Sequence, residues 1–285
     1  MLYPIKVGAS DQTINKAVEF YKSAYKKIIQ EILGATNFGV YNRKQILNQI
    51  EKILEDLGVD VQKFIEEQIP YYYKTGADNA VAQLRSAGFR VDIASGFNKI
   101  HKEAVNNLID EVGQAFGESL TGIKRSATQL LGRAVREMIS FKMAEGITKG
   151  EALRETKNAI KGILQEQGLD SLVDKAGRGW TLDRYTEMLI RTKTVEARNR
   201  GFLNRVLEND YDLVQVSDHA GECEMCRPWE GRILSLTGKT KGYPTLAEAE
   251  ANGLFHPNCR HSINTLHKEL AENTRAYDHK TGTYN

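Results

Sequence analysis

The chain has 285 residues, 41% of them apolar and 27% charged, and its 39 Lys+Arg nearly balance its 37 Asp+Glu to leave a net charge of +2. That composition excludes a disordered chain, and the near-neutral balance gives no overall electrostatic case for nucleic acid as the main ligand. No apolar run approaches the roughly 20 residues that span a bilayer, and Met1-Leu2-Tyr3-Pro4-Ile5-Lys6 lacks the features of a secretory leader, so the protein is expected to start in a cytoplasm.

The first two thirds of the chain read as helices. Ser10 or Asp11 caps a helix running to about Leu33, with Gly34 just past its end. Ile14, Ala17, Val18, Tyr21, Ala24, Tyr25, Ile28 and Ile32 recur at helical spacing and form one apolar stripe. A second helix starts near Asn42, carries Ile46, Ile50, Ile53, Leu54 and Leu57, and is expected to stop at Gly58. A third starts at Asp60 and is expected to kink or end at Pro70, which lacks a backbone donor. Tyr71-Tyr72-Tyr73 continues the pattern toward Leu84, with Gly88 as the stop; the three rings read as packing residues rather than a platform for bases.

Helical patterns follow over 99–116, 123–145 and 149–167, the last with Thr148 and Glu151 spaced as a capping box. Asp174–Trp180 reads as a glycine-rich loop without the spacing of a phosphate loop. Thr181 then caps a long helix from Leu182 to about Asn209. Its Arg191, Lys193, Arg198 and Arg200 are candidate phosphate contacts. Asp183, Glu187 and Glu196 lie among them, which favours a solvated, salt-bridged face.

After this helix the texture changes. Segments 211–217, 232–236 and 262–266 read as strands, and 245–253 as a short capped helix ending at Asn-Gly. Past Leu270 the chain is polar and reads as a tail. The expected fold is mainly α: an extended helical region over 1–205, a small zinc-stabilised α+β module over 206–270, and a tail over 271–285. A module of about 65 residues has little core and commonly needs a staple.

All three cysteines fall in that module, in Cys223-Glu224-Met225-Cys226 and His256-Pro257-Asn258-Cys259-Arg260-His261. Cys-x-x-Cys followed by His-x-x-Cys supplies the ligands of a closed structural zinc site. In a reducing compartment an odd cysteine count favours metal ligation over disulfides. Soft thiolates with one imidazole favour Zn2+ over magnesium or calcium. The preferred ligands are Cys223, Cys226, His256 and Cys259, with His219 and His261 as alternates. Arg260 and the Trp229-Glu230-Gly231 turn are expected to pack around the ion. Four protein ligands leave no open position, so the metal is read as structural and no catalytic residue is assigned. His256, Asn258 and His261 share residue types with a His-Asn-His nuclease, but they are crowded into six residues where that motif spreads over a longer ββα unit.

The order of these elements carries a resemblance. Tyr185–Thr192 lies on the long helix, followed by Val214–His219, Cys223–Cys226, Trp229–Ser235, Tyr243–Leu246 and Gly253–His261. Together they resemble the minor capsid protein 2 family of tailed bacteriophages, over about residues 181–266. The resemblance implies a non-enzymatic component of the virion head, made in the host cytoplasm. It implies association with the portal or the inner head, with the portal protein or the major capsid protein as partner, and a role in head morphogenesis or DNA packaging and delivery; multiple copies per virion are compatible with it. An internal protein contacting packaged DNA and a metal-dependent nuclease are the alternatives. No membrane partner is expected.

Overall fold

The computed structural model describes residues 9–91, 99–143, 149–167, 172–173, 179–218, 224–257, 259–266, 277–278 and 283–284. Its helices are α1 (Asp11–Gly34), α2 (Val40–Ser86), α3 (Lys99–Met143), α4 (Lys149–Gln167), α5 (Leu182–Glu208) and α6 (Leu246–Ala251). Its strands are β1 (Leu172–Val173), β2 (Gly179–Trp180), β3 (Leu213–Val216), β4 (Ile233–Ser235), β5 (Ile263–Thr265), β6 (Tyr277–Asp278) and β7 (Thr283–Tyr284). The mainly helical class with a small stranded C-terminal region is the expected one. No described helix is long and apolar enough to cross a membrane.

Two of the expected breaks are absent. Gly58 and Pro70 both lie inside α2, which runs 47 residues without interruption. A glycine costs a helix about 1 kcal/mol. Here it is flanked by Leu54, Leu57 and Val61, each 6% exposed or less, and burial of one such side chain is worth about 1.5–3 kcal/mol. Pro70 gives up the bond to the carbonyl four residues back, yet Ile65, Ile69, Tyr72 and Tyr73 around it are all buried. The expected gap between 116 and 123 also closes, because α3 continues through Gly117 with Phe116 and Ile123 buried on either side. Tertiary burial outvotes local propensity at all three places. The stretch read as a tail contains β6 paired antiparallel with β7. Within the stretch read as a glycine loop, Gly179 and Trp180 form β2, paired with β1. Thr148, the expected cap of α4, lies outside the described residues.

The chain clusters into two compact units that are not contiguous in sequence, whereas the sequence pattern put a boundary near 205. One unit is 13–65 with 111–187. Its core follows the α1 stripe, with Ile14, Ala17, Val18, Tyr21, Ala24, Ile28 and Ile32 all buried. Tyr21 stacks on Phe116 at 5.8 Å, and its hydroxyl lies 3.1 Å from that of Ser119. Burial pushes the Tyr21 phenol well up, against the opposing bond to Ser119.

The other unit is 1–12 with 66–110 and 188–285. Two glycines let α2 and α5 meet at backbone distance within it. A Cβ on Gly76 would lie 1.9 Å from the Arg198 carbonyl oxygen, and one on Gly201 would lie 2.0 Å from that of Tyr73. No side chain fits either place, so the crossing is possible only with glycine at both. Next to it, the Tyr73 hydroxyl accepts from Asn204 at 2.6 Å and lies 2.8 Å from His101 Nδ1, whose Nε2 lies 2.9 Å from Glu208.

The crossing holds α5 against a three-stranded antiparallel sheet of order β4-β3-β5. The register pairs Val214 with Leu234 and Val216 with Ile263. Alternation along β3 buries Val214 and Val216, as the period of two requires. Gln83 of α2 covers the β5 edge: its Oε1 accepts from the Thr265 amide at 2.8 Å and its Nε2 donates to Asn264 at 3.1 Å. The resulting core joins Ala80 of α2 and Phe202 and Val206 of α5 to Val214, Val216, Cys226, Trp229, Leu234, Ala249, Leu254, Cys259 and Ile263. The C-terminal module therefore shares its core with α2 and with α5, the helix that runs across position 205.

Candidate metal centre

Two of the cysteines belong to that core. Cys226 is 0% and Cys259 5% exposed. Cys226 sits at the start of a single 3-10 turn, Arg227–Trp229, closed by Trp229 N donating to the Cys226 carbonyl at 2.8 Å. Pro228 suits that turn because its missing donor and fixed φ are already accommodated at the first positions. Cys259 arrives on a second turn, in which its amide donates to the His256 carbonyl at 2.9 Å. The short helix α6 feeds the second turn. It starts with the capping box of Thr245 and Glu248 and ends at Asn252, with Gly253 at φ +100°. Phe255, directly before His256, also takes a left-handed φ of +62°. A bulky side chain resists that conformation, so the backbone holds some strain where it aims His256.

The two turns bring the Cys226 and Cys259 Sγ atoms to 3.7 Å. A donor nitrogen of His256 joins them, all three donor atoms lying within 4.8 Å of one another. Two thiolates each about 2.3 Å from one tetrahedral ion stand about 3.8 Å apart, so the sulfur spacing fits a shared metal. His256 Nδ1 lies 2.7 Å from the Pro257 carbonyl. A carbonyl on one ring nitrogen is a usual way to orient an imidazole that ligates through the other. Among the described residues, Cys226, His256 and Cys259 can hold a metal ion. Cys223 and His219 lie outside the described residues.

His261 is close by without being a member of that group of donors. Its Nδ1 lies 3.3 Å from Cys259 Sγ, and its Nε2 lies 2.6 Å from Glu230 Oε1. Trp229 is buried in the core beside Cys226, with Arg232 5.4 Å over its ring. Arg260 is exposed, and Glu230, rather than Arg260, reaches inward. The sequence places the Trp229-Glu230-Gly231 turn around the ion, but it does not signal that Glu230 itself is buried against His261. Its partner is 31 positions away and no periodicity links them.

A cleft of about 430 Å³ opens beside the cluster, lined by Glu196, Arg200, Glu250, Phe255, His256 and Cys259 among others. Partial burial raises the Glu250 carboxyl, with Arg200 opposing and Glu196 reinforcing. Of the candidate phosphate contacts on α5, Lys193 and Arg200 both pair with Glu196, at 2.8 and 3.0 Å. Arg191 is half-buried. Arg198 is 4% exposed, with Nε and Nη1 buried and unpaired, and burial lowers its guanidinium pKa. The salt-bridged face favoured by the sequence is what α5 presents at Lys193 and Arg200.

Asp212, just before β3, organises the end of the sheet where β3 begins and β4 ends. The hydroxyls of Ser235, Thr237 and Thr240 donate to its carboxylate at 2.7, 2.5 and 2.6 Å, and the Thr237 amide donates at 2.8 Å. Desolvation would raise this carboxyl, but the donors outweigh it and hold it well below the usual range.

The family described as phage minor capsid protein 2 matches residues 40–284, nearly the whole chain. No curated protein and no solved structure matches.

Proposed function

The chain belongs to the phage minor capsid protein 2 family, a structural component of the virion, and we propose that it works in the head as an assembly component seated at the portal or the inner shell. Its helices supply the surface that engages the portal or major capsid protein during head morphogenesis, and its C-terminal module is a rigid docking element. A structural Zn2+ holds that module through Cys226, His256 and Cys259, with Cys223 as the fourth ligand. The observation that carries the zinc reading is the convergence of two buried thiols and an imidazole from turns 30 residues apart in sequence. Two soft sulfurs and a nitrogen select zinc over hard cations. With four protein ligands the ion stabilises the fold and activates no water, in keeping with a structural rather than enzymatic protein.

Two measurements test this. Elemental analysis of the purified chain is expected to give about one zinc per chain; metal-free protein with an unchanged melting profile would remove the ion from the reading. Co-expression with the portal and major capsid proteins of the same phage is expected to yield a complex that survives purification. Recovery of the chain free of both, under conditions where those two assemble, would remove the proposed partners.

A further inference from the structure

Glu230 and His261 are 5% and 2% exposed, and they come from different stretches, the turn after Trp229 and the approach to β5. Their 2.6 Å contact is expensive to bury unless each remaining polar atom also has a use. On the far side of the ring, Nδ1 is 3.3 Å from Cys259 Sγ, and the His261 amide reaches the same sulfur at 3.4 Å. Three groups thus stand in a row: carboxylate, imidazole, sulfur. A carboxylate clamps one nitrogen of an imidazole when the other nitrogen must be held at a fixed place. Among the described residues His261 is outside the group whose donor atoms converge, and its Nδ1 is turned to Cys259 Sγ, which gives it a role other than ligation in this geometry.

The geometry points to His261 as a positioning residue that acts on the metal through Cys259. Its Nδ1–H donates to the Cys259 thiolate, and Glu230 holds the ring by sharing the hydrogen at Nε2. The inference rests on the zinc reading above and deepens it. A thiolate in an apolar core has no water to share its charge, and hydrogen bonds to an ionised acceptor are the strong ones. Among the described residues, the His261 ring and amide both reach this sulfur as donors. They draw charge from it and set how strongly it donates to the metal. Both of these bonds fall on Cys259 Sγ, which makes the two thiolates inequivalent. His261 is then neither a spare ligand nor a filler, and Glu230 is needed for the orientation.

Cobalt(II) in place of zinc tests this in the full-length chain, since its sulfur-to-metal charge-transfer band reports thiolate donor strength and its ligand-field bands report coordination number. In His261→Ala the charge-transfer band is expected to move to lower energy while the tetrahedral ligand-field intensity stays. Metal affinity by chelator competition should weaken by about 10–100-fold. His261→Gln, whose amide can donate to the same sulfur, is expected to restore some of the shift, and Glu230→Gln to give a smaller shift in the same direction. An unmoved band in His261→Ala overturns the inference. So does a loss of tetrahedral intensity, which would make His261 a ligand. If His261→Ala does not fold, Glu230→Gln carries the same readout, and an unmoved band there overturns the inference. A wild-type chain that takes up neither cobalt nor zinc fails at the earlier step, the metal reading itself, which separates the two failures.

Discussion

In the unit formed by 13–65 and 111–187, most of the buried positions are apolar side chains repeated along helices, such as Ile28, Ile32, Ile50, Leu130 and Leu131. In the C-terminal module the core includes Cys226 and Cys259, and the polar pair Glu230 and His261 is buried with them. The first arrangement spreads stability over many similar contacts, so removing one leaves the rest. The second concentrates it in a few donor atoms on short strands of three or four residues. The two regions should therefore fail differently, and that difference can be measured.

Metal removal should have the largest effect. Structural zinc contributes up to about 10 kcal/mol or more in small modules. Chelation, or Cys226→Ser with Cys259→Ser, is expected to abolish hydrogen-exchange protection at Val214, Val216 and Leu254 and to weaken it at Phe202 and Val206, which share their core. Protection at Ile28 and Ile50 should persist. Uniform loss across both regions would show that the helical packing is no more self-sufficient than the module.

That asymmetry bears on what could be read in advance. The α1 stripe, the long α5, three strands, the α6 cap and the clustering of Cys226, His256 and Cys259 all follow short-range rules of spacing and turn chemistry, and all are present. The sequence misleads where a distant contact decides. Gly58 and Pro70 look like stops, yet burial of Val61, Ile69 and Tyr73 carries α2 through them. Gly201 sits unremarked among arginines, although its missing side chain is what lets α5 touch Tyr73 of α2. The turn holding Glu230 is legible as packing around the ion, but its pairing with His261 is not, because the partner lies on another stretch.

Glycine sharpens the comparison at intermediate scale. Gly117 in α3 has nothing within 4 Å of an added Cβ, whereas Gly201 in α5 has the Tyr73 carbonyl at 2.0 Å. Gly117→Ala is expected to stabilise the protein by about 0.5–1 kcal/mol through helix propensity. Gly201→Ala is expected to destabilise it by about 3 kcal/mol, since one methyl must push the α2 and α5 backbones apart. Denaturant midpoints of the two variants should move in opposite directions. A shift of both toward stability would mean that α2 and α5 are not in backbone contact.

The smallest effect concerns Asp212, whose carboxylate gathers four short hydrogen bonds at the end of the sheet. Its pKa is held below the usual range, so its contribution is present above the unfolded value of about 3.9 and is lost as pH falls through the folded value. Asp212→Asn keeps one acceptor oxygen and removes the charge, which is expected to cost about 1–3 kcal/mol at pH 7. At pH 3 the wild type begins to surrender the same interaction, so the gap between the two proteins should narrow. Chemical denaturation at both pH values reads this directly, and a gap that is equal at pH 7 and pH 3 would mean that the hydroxyl cluster is indifferent to the charge it surrounds. Because the cluster lies at the Leu213 end of β3, while the cysteine turns lead into β4 and β5 from the other end, the narrowing should appear in metal-loaded and chelated protein only as far as β3 and β4 remain paired. The module's dependence on its metal then determines whether this carboxylate contributes at all.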